Sequence, residues 1–377
     1  MKHHDVVIVG SGFYGCTLAE MFASAGKSVL ILEKRDHIGG NAYSYFDPST
    51  KIEIHKYGSH IFHTNSIKVW DYINQFTSFN KYTHKVLSKV GSMLLPMPIN
   101  LQTINLVFEK QFSPNEARDF LESQKATGVE SESNLEAWAK SEIGTKLYEL
   151  LIKGYTHKQW EIEPSLLPAS IITRLPVRFD YDNRYFTDVY QGMPLEGYEK
   201  IFQNMLSHPR IDLELDTDFF DRRNSFSSDQ LIVYSGPIDR FFGYSKGELS
   251  WRTLDFELEK IPSNQFQENS VINYADVDIP YTRIHEFKLF HPERTQSNET
   301  TLISREYSRR ANTDDEPYYP VGTVKDTEIL AEYKAMSETL ENVYFGGRLG
   351  SYQYLDMHMA INQAMITFKQ IMDERWS

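Results

Sequence analysis

A buried strand, a glycine turn, a helix and a second buried strand open this chain, and their order constrains its fold more than any other feature. The branched run Val6–Val9 predicts a strand covered on both faces, and it ends at the glycine motif Gly10–Gly15. Apolar residues at helical spacing follow, and a second apolar run, Val29–Leu32, ends at the acidic residue Glu33. This order predicts an α/β domain that binds a dinucleotide.

The residues of the motif suit contact with a dinucleotide. Gly10 permits the tight turn, Gly12 allows the backbone to approach a pyrophosphate, and Gly15 allows the helix to pack against the strand. The helix that begins near Phe13 presents free N–H groups to phosphates, and the carboxylate of Glu33 suits a ribose diol. A tight turn in a domain without a dinucleotide is the alternative interpretation.

A second glycine pair, Gly39–Gly40, follows the acidic residue closely. It indicates another close approach of the backbone to a bound group. The pair resembles that of FAD-dependent enzymes of the glutathione-reductase and amine-oxidase type. This resemblance implies that the dinucleotide is FAD and that Lys34, Gly40 and Asn41 lie along it.

The composition argues against several classes of function. A net charge of −13 argues against a nucleic-acid partner or an anionic membrane surface, so an anionic substrate needs a local group of arginines. The single cysteine, Cys16, precludes an internal disulfide and suits a reducing compartment; buried packing and a reactive thiol are its two interpretations. Without a signal peptide or an apolar run of membrane-spanning length, we expect a cytoplasmic protein with no membrane insertion.

Patterns typical of buried strands recur late in the chain, at Gln230–Tyr234 and Val343–Phe345. A glycine follows each of them within two residues. They predict an α/β fold in which a Rossmann-like FAD-binding domain is assembled from discontinuous segments, with an inserted helical bundle and an antiparallel β-sheet domain. The predicted units are residues 1–79, 195–245 and 322–377 (FAD-binding), residues 80–169 (helical insertion), and residues 170–194 and 246–321 (antiparallel sheet, with strands expected from Ile171 to about Gly192).

Arginine and aromatic residues are concentrated in short segments outside the glycine motif. Arginine binds phosphate through a bidentate fork, and a phenol donates a hydrogen bond without adding charge. If the segments converge, they form a diphosphate site in an acidic protein; the alternative is that most of them are surface strand residues. The segments are Gly154–Trp160, Thr173–Phe179 with Asn183–Phe186, Asn273 with Pro280–Arg283, and Asp315–Pro320 with Phe345–Arg348.

Eight strings distributed along the chain carry a more specific resemblance. They are Gly10–Gly15, Gly39–Tyr43, His55–Thr64, Tyr155–Trp160, Arg174–Arg178, Pro280–Arg283, Glu316–Pro320 and Phe345–Leu349. Together, and in this order, they resemble the bacterial UDP-galactopyranose mutase family along nearly the whole chain.

The resemblance implies an isomerase that interconverts the pyranose and furanose forms of a nucleotide-diphospho-sugar for cell-surface polysaccharide synthesis. It implies FAD that is active in its reduced form, with a covalent adduct between flavin N5 and the anomeric carbon of the sugar. It further implies an external reductant, such as NAD(P)H or a reductase, and a homodimer.

Individual residues match positions of the family. Arg174 and Arg283 resemble its two diphosphate-binding arginines and are the candidate catalytic residues. The implied substrate-binding residues are Tyr155, Trp160, Arg174, Tyr185, Asn273, Arg283, Tyr319 and Tyr354. The implied cofactor-binding residues are Gly10, Gly12, Phe13, Gly15, Glu33, Lys34, Gly40, Asn41, His60, His63, Arg348, Asp356 and Met357. No metal site is expected, because His60 and His63 have no acidic residue in their run.

Two segments depart from the family pattern and leave the substrate open. His84–Val86 stands where the family has Asn-Ser-Pro, and Glu161–Pro164 stands where it commonly has glycine and a basic residue. The preferred substrate is UDP-galactopyranose, and a dTDP-6-deoxyhexose or UDP-N-acetylgalactosamine is the alternative. An amine-oxidase-type flavin oxidase is a distant alternative, which an arginine cluster would argue against.

Overall fold

The computed structural model describes residues 3–125, 134–173, 176–296 and 298–376, so Arg174 lies outside the described residues. The strands are β1 (Val6–Val9), β2 (Val29–Leu32), β3 (Ser44–Phe46), β4 (Glu53–His55), β5 (Phe62–Thr64), β6 (Val86–Val90), β7 (Met93–Met97), β8 (Tyr190–Gly192), β9 (Ile211–Glu214), β10 (Leu231–Tyr234), β11 (Trp251–Ile261), β12 (Val271–Tyr274), β13 (Arg283–Glu286), β14 (Thr301–Arg310), β15 (Tyr319–Pro320) and β16 (Val343–Phe345). The helices are α1 (Phe13–Ser24), α2 (Ile67–Ile73), α3 (Leu101–Phe108), α4 (Pro114–Gln124), α5 (Leu135–Leu147), α6 (Gly154–Trp160), α7 (Tyr198–Met205), α8 (Phe219–Arg222), α9 (Ile238–Phe241), α10 (Val324–Ser337), α11 (Gly347–Ser351) and α12 (Met357–Arg375).

Five parallel strands form the first sheet, in the order β16-β10-β1-β2-β9. Helices α1 and α12 cover one face, where Phe22 and Ile371 pack against Ile8. Phe219 and Phe241, from α8 and α9, cover the other face. Burial on both faces explains the continuous apolar runs of these strands. The predicted Rossmann-like domain, assembled from separated segments, is confirmed.

The turn between β1 and α1 depends on its glycines. Gly10 has φ +97°, a left-handed conformation in which a side chain is strained, and a Cβ at Gly15 would collide with the carbonyl oxygen of Gly10. Cys16 follows on α1, is fully buried, and donates from Sγ to the Ser11 carbonyl at 3.0 Å. Because burial raises the pKa of this thiol well above its ordinary value, the structure supports packing rather than a reactive thiol.

A second sheet of seven strands has the order β15-β11-β14-β13-β12-β6-β7. Its pairs are antiparallel except β12 with β6, which run parallel. Residues 86–97 of the predicted helical insertion, residues 80–169, form β6 and β7 of this sheet, so this part of the insertion is not helical. Val86, Ser88 and Val90 are buried while the residues between them are partly exposed, so this segment has the two-residue period of a strand.

Helices α3 to α6 form the layer beside this sheet, with the π-helical stretch Tyr148–Lys153 joining α5 to α6. Leu135, Leu147 and Ile104 lie in one buried cluster with Leu95 of β7. This cluster attaches the helical layer to the sheet, so α6 is held along β14.

The strands expected from Ile171 to about Gly192 are mostly absent from the described residues. Of the residues described between 171 and 192, only Tyr190–Gly192 form a strand, β8, which pairs with β5. Ile171 ends the 3₁₀ turn Ala169–Ile171, and the other residues described here have turns, bends, an isolated bridge or irregular structure. Two of their contacts are Arg178 N–H donating to the Ile99 carbonyl and Tyr185 N–H donating to the His84 carbonyl. This part of the chain is rich in aromatic and branched residues, but apart from β8 its described residues belong to no sheet.

Among the helices that the structure describes, none has both the length and the apolar character needed to cross a bilayer.

Candidate active site

One cavity of about 740 Å³ lies between the parallel sheet, the seven-stranded sheet and the helical layer. It is lined by all the predicted cofactor and substrate residues that the structure describes. Its walls bring together residues as far apart in sequence as Gly10 and Met357. Residues of the segments Gly154–Trp160, Asn183–Phe186, Asn273 with Pro280–Arg283, Asp315–Pro320 and Phe345–Arg348 therefore converge at this cavity, whereas none of the described residues of Thr173–Phe179 lines it.

The glycine turn forms one end of this cavity. Among the described residues no side chain caps the N-terminus of α1, whose N-cap is Gly12. Uncapped N–H groups and the positive end of the helix dipole suit a pyrophosphate. Gly40 lies against Gly12, since a Cβ at Gly40 would lie 3.1 Å from the Gly12 Cα. The two glycine segments thus leave a narrow backbone cradle that fits a dinucleotide.

Glu33 holds the glycine turn in shape. Its Oε2 accepts hydrogen bonds from the N–H and Oγ of Ser11, at 2.8 and 2.7 Å, and its Oε1 accepts from the Arg35 N–H at 3.0 Å. Lys34 and Arg35 both pair with Glu316, at 2.7 and 2.6 Å. Arg35 also donates to Asn41 Oδ1 at 2.8 Å. The segment after the acidic residue is therefore fixed along the cavity wall.

Two histidines occupy the middle of the cavity. Burial, reinforced by Arg348, lowers the pKa of His60 to about 4, although a hydrogen bond with the Gly58 carbonyl opposes this shift. His63 Nδ1 lies 2.9 Å from Asp188, and its ring stacks on Phe186 at 3.6 Å.

His63 also faces the start of α12. Its Nε2 lies 3.9 Å from the carboxylate of Asp356, the residue that precedes Met357. His63, Asp356 and His358 have possible ligand atoms within 4.8 Å of one another, so the expectation that the chain has no metal site stays a prediction.

An arginine and two tyrosines form the wall beyond these histidines. The Arg348 guanidinium donates to the carbonyls of Tyr318 and Leu355, at 3.1 and 2.6 Å. It lies 5.0 Å from the ring of Tyr354 and 5.7 Å from that of Tyr319. The carbonyl contacts fix the position of a cation beside two phenols, an arrangement that suits an anionic ligand.

Arg283 is the second cation of the cavity. Its Nη2 donates a hydrogen bond to the phenol of Tyr155, and its Nε lies 3.3 Å from Glu306 Oε1. Burial opposes its charge, but Glu306 outweighs burial, so the pKa of Arg283 is raised. Arg283 is therefore always positively charged, and Tyr155 and Glu306 fix the orientation of its guanidinium, as a diphosphate site requires.

The remaining predicted substrate residues surround this cation. Asn273 Oδ1 is buried and has no hydrogen-bond partner among the described residues, so it offers an acceptor to a ligand. The ring centroid of Tyr185 lies 5.5 Å from that of His84. His84 is buried and lines the cavity, and burial lowers its pKa to about 3. The first segment that departs from the family pattern therefore contributes to the cavity wall.

The second departure has a structural explanation. Glu161 ends α6 with φ +51°, a conformation that favours glycine. Its carboxylate lies 2.8 Å from the guanidinium of Arg252, a side chain that is only 2% exposed, and accepts from the Arg310 N–H at 2.9 Å. These bonds offset the backbone strain and fix the end of the helix that carries Trp160.

A hydrogen-bonded set of three polar residues beside Arg283 was not predicted from the sequence. Ser59 Oγ lies 2.6 Å from His285 Nδ1, and His285 Nε2 lies 3.0 Å from Glu306 Oε2. All three residues line the cavity. The signal that could have found them is the recurrence of polar residues within otherwise buried strands, at His285, Ser304 and Glu306.

Comparisons with known proteins agree with this site. The family described as UDP-galactopyranose mutase matches residues 150–354, and an NAD(P)-binding Rossmann-like domain matches residues 8–76. A probable UDP-galactopyranose mutase of Klebsiella pneumoniae is 42% identical over 368 residues, covering 97% of this chain and 94% of the relative. A dTDP-fucopyranose mutase of Escherichia coli is 38% identical over 370 residues, covering 96% of this chain and 97% of the relative.

A comparison with solved structures shows a similar fold. The crystal structure of a reduced UDP-galactopyranose mutase superposes with a TM-score of 0.75 at 13% identity, covering 100% of this chain and 95% of that one. The nucleotide-binding match at residues 8–76 and a similarity over 71 residues to an FAD-dependent oxidoreductase of Cochliobolus heterostrophus confirm FAD as the cofactor. The chain belongs to the UDP-galactopyranose mutase family and is an isomerase of nucleotide sugars.

Proposed function

We propose that this protein converts UDP-galactopyranose to UDP-galactofuranose, which supplies a furanose for cell-surface polysaccharide synthesis. The observation that carries the proposal is the position of Arg283, a half-buried cation held by Tyr155 and Glu306 in the cavity that also contains the glycine turn. A nucleoside diphosphate is an anion of the size and charge that such a cation stabilises when it leaves the sugar.

The cofactor accounts for the chemistry that the side chains lack. Reduced FAD supplies a nucleophile toward the anomeric carbon, which is how a flavin can serve an isomerase without net oxidation. The glycine turn and the α1 N-terminus hold its pyrophosphate, and Gly40, Asn41, His60 and His63 lie along it.

The chain's own residues bind and orient the substrate. Arg283, Tyr319 and Tyr354 engage the diphosphate, and Tyr155 and Trp160 on α6 flank the base. Arg174 is the proposed second diphosphate-binding arginine, from its position in the family pattern. Holding the anomeric carbon in one place converts a bimolecular encounter into an effectively intramolecular step.

A second substrate is supported by two observations. The relative named dTDP-fucopyranose mutase is nearly as similar as the UDP-galactopyranose mutase, and His84 stands in the cavity wall at a departure from the family pattern. A dTDP-6-deoxyhexose is therefore the alternative, followed by UDP-N-acetylgalactosamine. An external reductant such as NAD(P)H, a homodimer and a cytoplasmic location complete the proposal.

A substrate panel tests the proposal. Purified protein reduced with dithionite is incubated with UDP-galactopyranose, dTDP-fucopyranose or UDP-N-acetylgalactosamine, and the ring size of the product is read by chromatography. We expect the highest kcat/KM with UDP-galactopyranose. A higher kcat/KM with dTDP-fucopyranose would replace the first substrate by the second, and no furanose from any of them would contradict the function.

A further inference from the structure

Ser59, His285 and Glu306 form a continuous hydrogen-bonded chain that opens into the cavity. The distances are 2.6 Å from Ser59 Oγ to His285 Nδ1 and 3.0 Å from His285 Nε2 to Glu306 Oε2. His285 and Glu306 are 1% and 2% exposed, whereas Ser59 is half-buried at the cavity wall. A hydroxyl, an imidazole and a carboxylate in this order can hold and pass a proton.

The proton positions follow from the charge of Glu306. Burial opposes its ionisation, but Arg283 and hydrogen bonds from His285 and Thr282 outweigh burial and lower the pKa of Glu306 to about 2. An ionised carboxylate only accepts, so His285 Nε2 carries a hydrogen and donates to it.

Nδ1 of His285 then carries either a lone pair or a second proton. Burial, together with the charge of Arg283, lowers the pKa of His285, although Glu306 opposes this. The imidazole is therefore neutral at pH 7, and its Nδ1 accepts the hydroxyl hydrogen of Ser59. Because that hydrogen is committed to His285, the remaining lone pairs of Ser59 Oγ are available to a donor in the cavity.

Arg283 connects this chain to the diphosphate site, because it lies against Glu306 on the side away from His285. A diphosphate bound to Arg283 brings negative charge, which offsets the repulsion between this cation and a protonated His285. Substrate binding therefore raises the pKa of His285.

Three other histidines face His285 from neighbouring elements. Burial lowers the pKa of His55 to about 3, that of His60 to about 4 and that of His84 to about 3. All three are neutral at pH 7, so Glu306 and Arg283 are the charged groups that set the state of His285.

Ring interconversion requires a proton to move. In a hexopyranose the C5 oxygen closes the ring and the C4 oxygen carries a hydrogen; in the furanose these roles are exchanged. The reaction therefore moves one proton from O4 to O5, with no oxidation and no other reactant.

Resting on the function proposed above, we propose that Ser59 is the catalytic group that exchanges this proton with the sugar, and that His285 and Glu306 are positioning residues that store it. Because substrate binding raises the pKa of His285, Nδ1 takes up one proton from solvent in the substrate complex and donates it to Ser59 Oγ. The C1–O5 bond then breaks with its electron pair left on O5, O5 gains the hydroxyl proton of Ser59, and Nδ1 of His285 replaces that proton. The O4–C1 bond forms as O4 returns a proton through Ser59 to His285, so the chain ends in its starting state.

Substitutions test the role of Ser59. Ser59→Ala should lower kcat about 100-fold, within the range of general acid–base catalysis, and should remove the pH dependence that the relay gives to kcat. UDP affinity should be unchanged, because Ser59 does not hold the diphosphate. Ser59→Thr keeps the hydroxyl and should recover turnover. Ser44→Ala is the matched control, since the Ser44 hydroxyl also donates to a buried group, Glu53, but lies outside the cavity.

A second measurement does not depend on turnover. Imidazole ¹⁵N NMR, with the His285 signals assigned by their loss in His285→Gln, should show the Nε2–H tautomer in the free protein. Saturating UDP should raise the pKa of His285, and Arg283→Ala should abolish this rise.

Wild-type kcat in both Ser59→Ala and His285→Gln would overturn the relay, and so would a His285 pKa that UDP leaves unchanged. If the wild-type protein forms no furanose at all, the proposed function fails instead, and the NMR result still decides the state of the relay.

Discussion

The phenol of Tyr155 on α6 accepts a hydrogen bond from the guanidinium of Arg283 on β13. This bond joins the helical layer to the seven-stranded sheet at the cavity wall. Gly154 makes the approach possible, because a Cβ at that position would collide with the Ala275 carbonyl in the loop between β12 and β13. The cation of the site is thus positioned by two structural layers at once.

Arg283→Ala should lower kcat/KM by about 10²–10³-fold, because the developing charge on the diphosphate loses a preorganised donor. FAD absorbance should remain, since the glycine turn is not altered. Arg305→Ala is the control, because Arg305 precedes Glu306 on β14 and pairs with Glu259. If the Arg283→Ala and Arg305→Ala proteins have the same kcat/KM, the assignment of Arg283 to the diphosphate site is wrong. Arg174→Ala should behave like Arg283→Ala.

Gly15→Ala should yield protein that has lost most of its FAD, because the added Cβ collides with the Gly10 carbonyl and opens the turn. Gly26→Ala is the control: it carries a similar strain, at φ +85°, but its Cβ would meet open space. The strained control should lose about 1 kcal/mol of stability and keep its FAD. The ratio of flavin to protein absorbance gives the result, and equal FAD content in the two variants would contradict the role of Gly15.

Glu161→Ala and Glu161→Gly separate the ion pair from the backbone strain at the end of α6. Both leave the buried Arg252 without its carboxylate, but only glycine relieves the left-handed conformation. The free energy of unfolding of Glu161→Ala should therefore be about 1 kcal/mol lower than that of Glu161→Gly. Glu161→Ala should accordingly unfold at a lower temperature. Thermal unfolding followed by circular dichroism checks the order, and the reverse order would show that strain at residue 161 is negligible.

Glu53 should make stability depend on pH. Burial opposes its ionisation, but a hydrogen bond from His291 and the charge of Arg294 outweigh burial and hold its pKa well below its ordinary range. A carboxylate with a lowered folded-state pKa stabilises the protein above its unfolded-state pKa, near 4.5, and this contribution is lost as the pH falls below that value.

Glu53→Gln should therefore cost about 3 kcal/mol at pH 7, and the difference from the wild type should narrow below about pH 4.5. Urea unfolding at pH 7 and at pH 3.5 measures it. Glu257→Gln, which alters an exposed carboxylate, should show no such pH dependence. A constant difference at both pH values would mean that the charge of Glu53 contributes nothing.

The local parts of the fold could be predicted from the sequence. The turn at Gly10–Gly15 and the position of Glu33 follow from short-range patterns, because a strand, a tight turn and a helix are specified by neighbouring residues. The parallel pairing of Val86–Val90 with β12 could not, since it joins strands that are more than 180 residues apart. The same limit applies to Ser59 and His285, which are separated by 226 residues and meet only in the folded chain.

The most direct test of the account compares one protein preparation in two redox states. Under anaerobic conditions, UDP-galactopyranose is incubated with oxidised protein and with dithionite-reduced protein, and the furanose product is measured by chromatography. We expect UDP-galactofuranose with reduced protein and almost none with oxidised protein. Equal conversion in both states, or none in either, would contradict it.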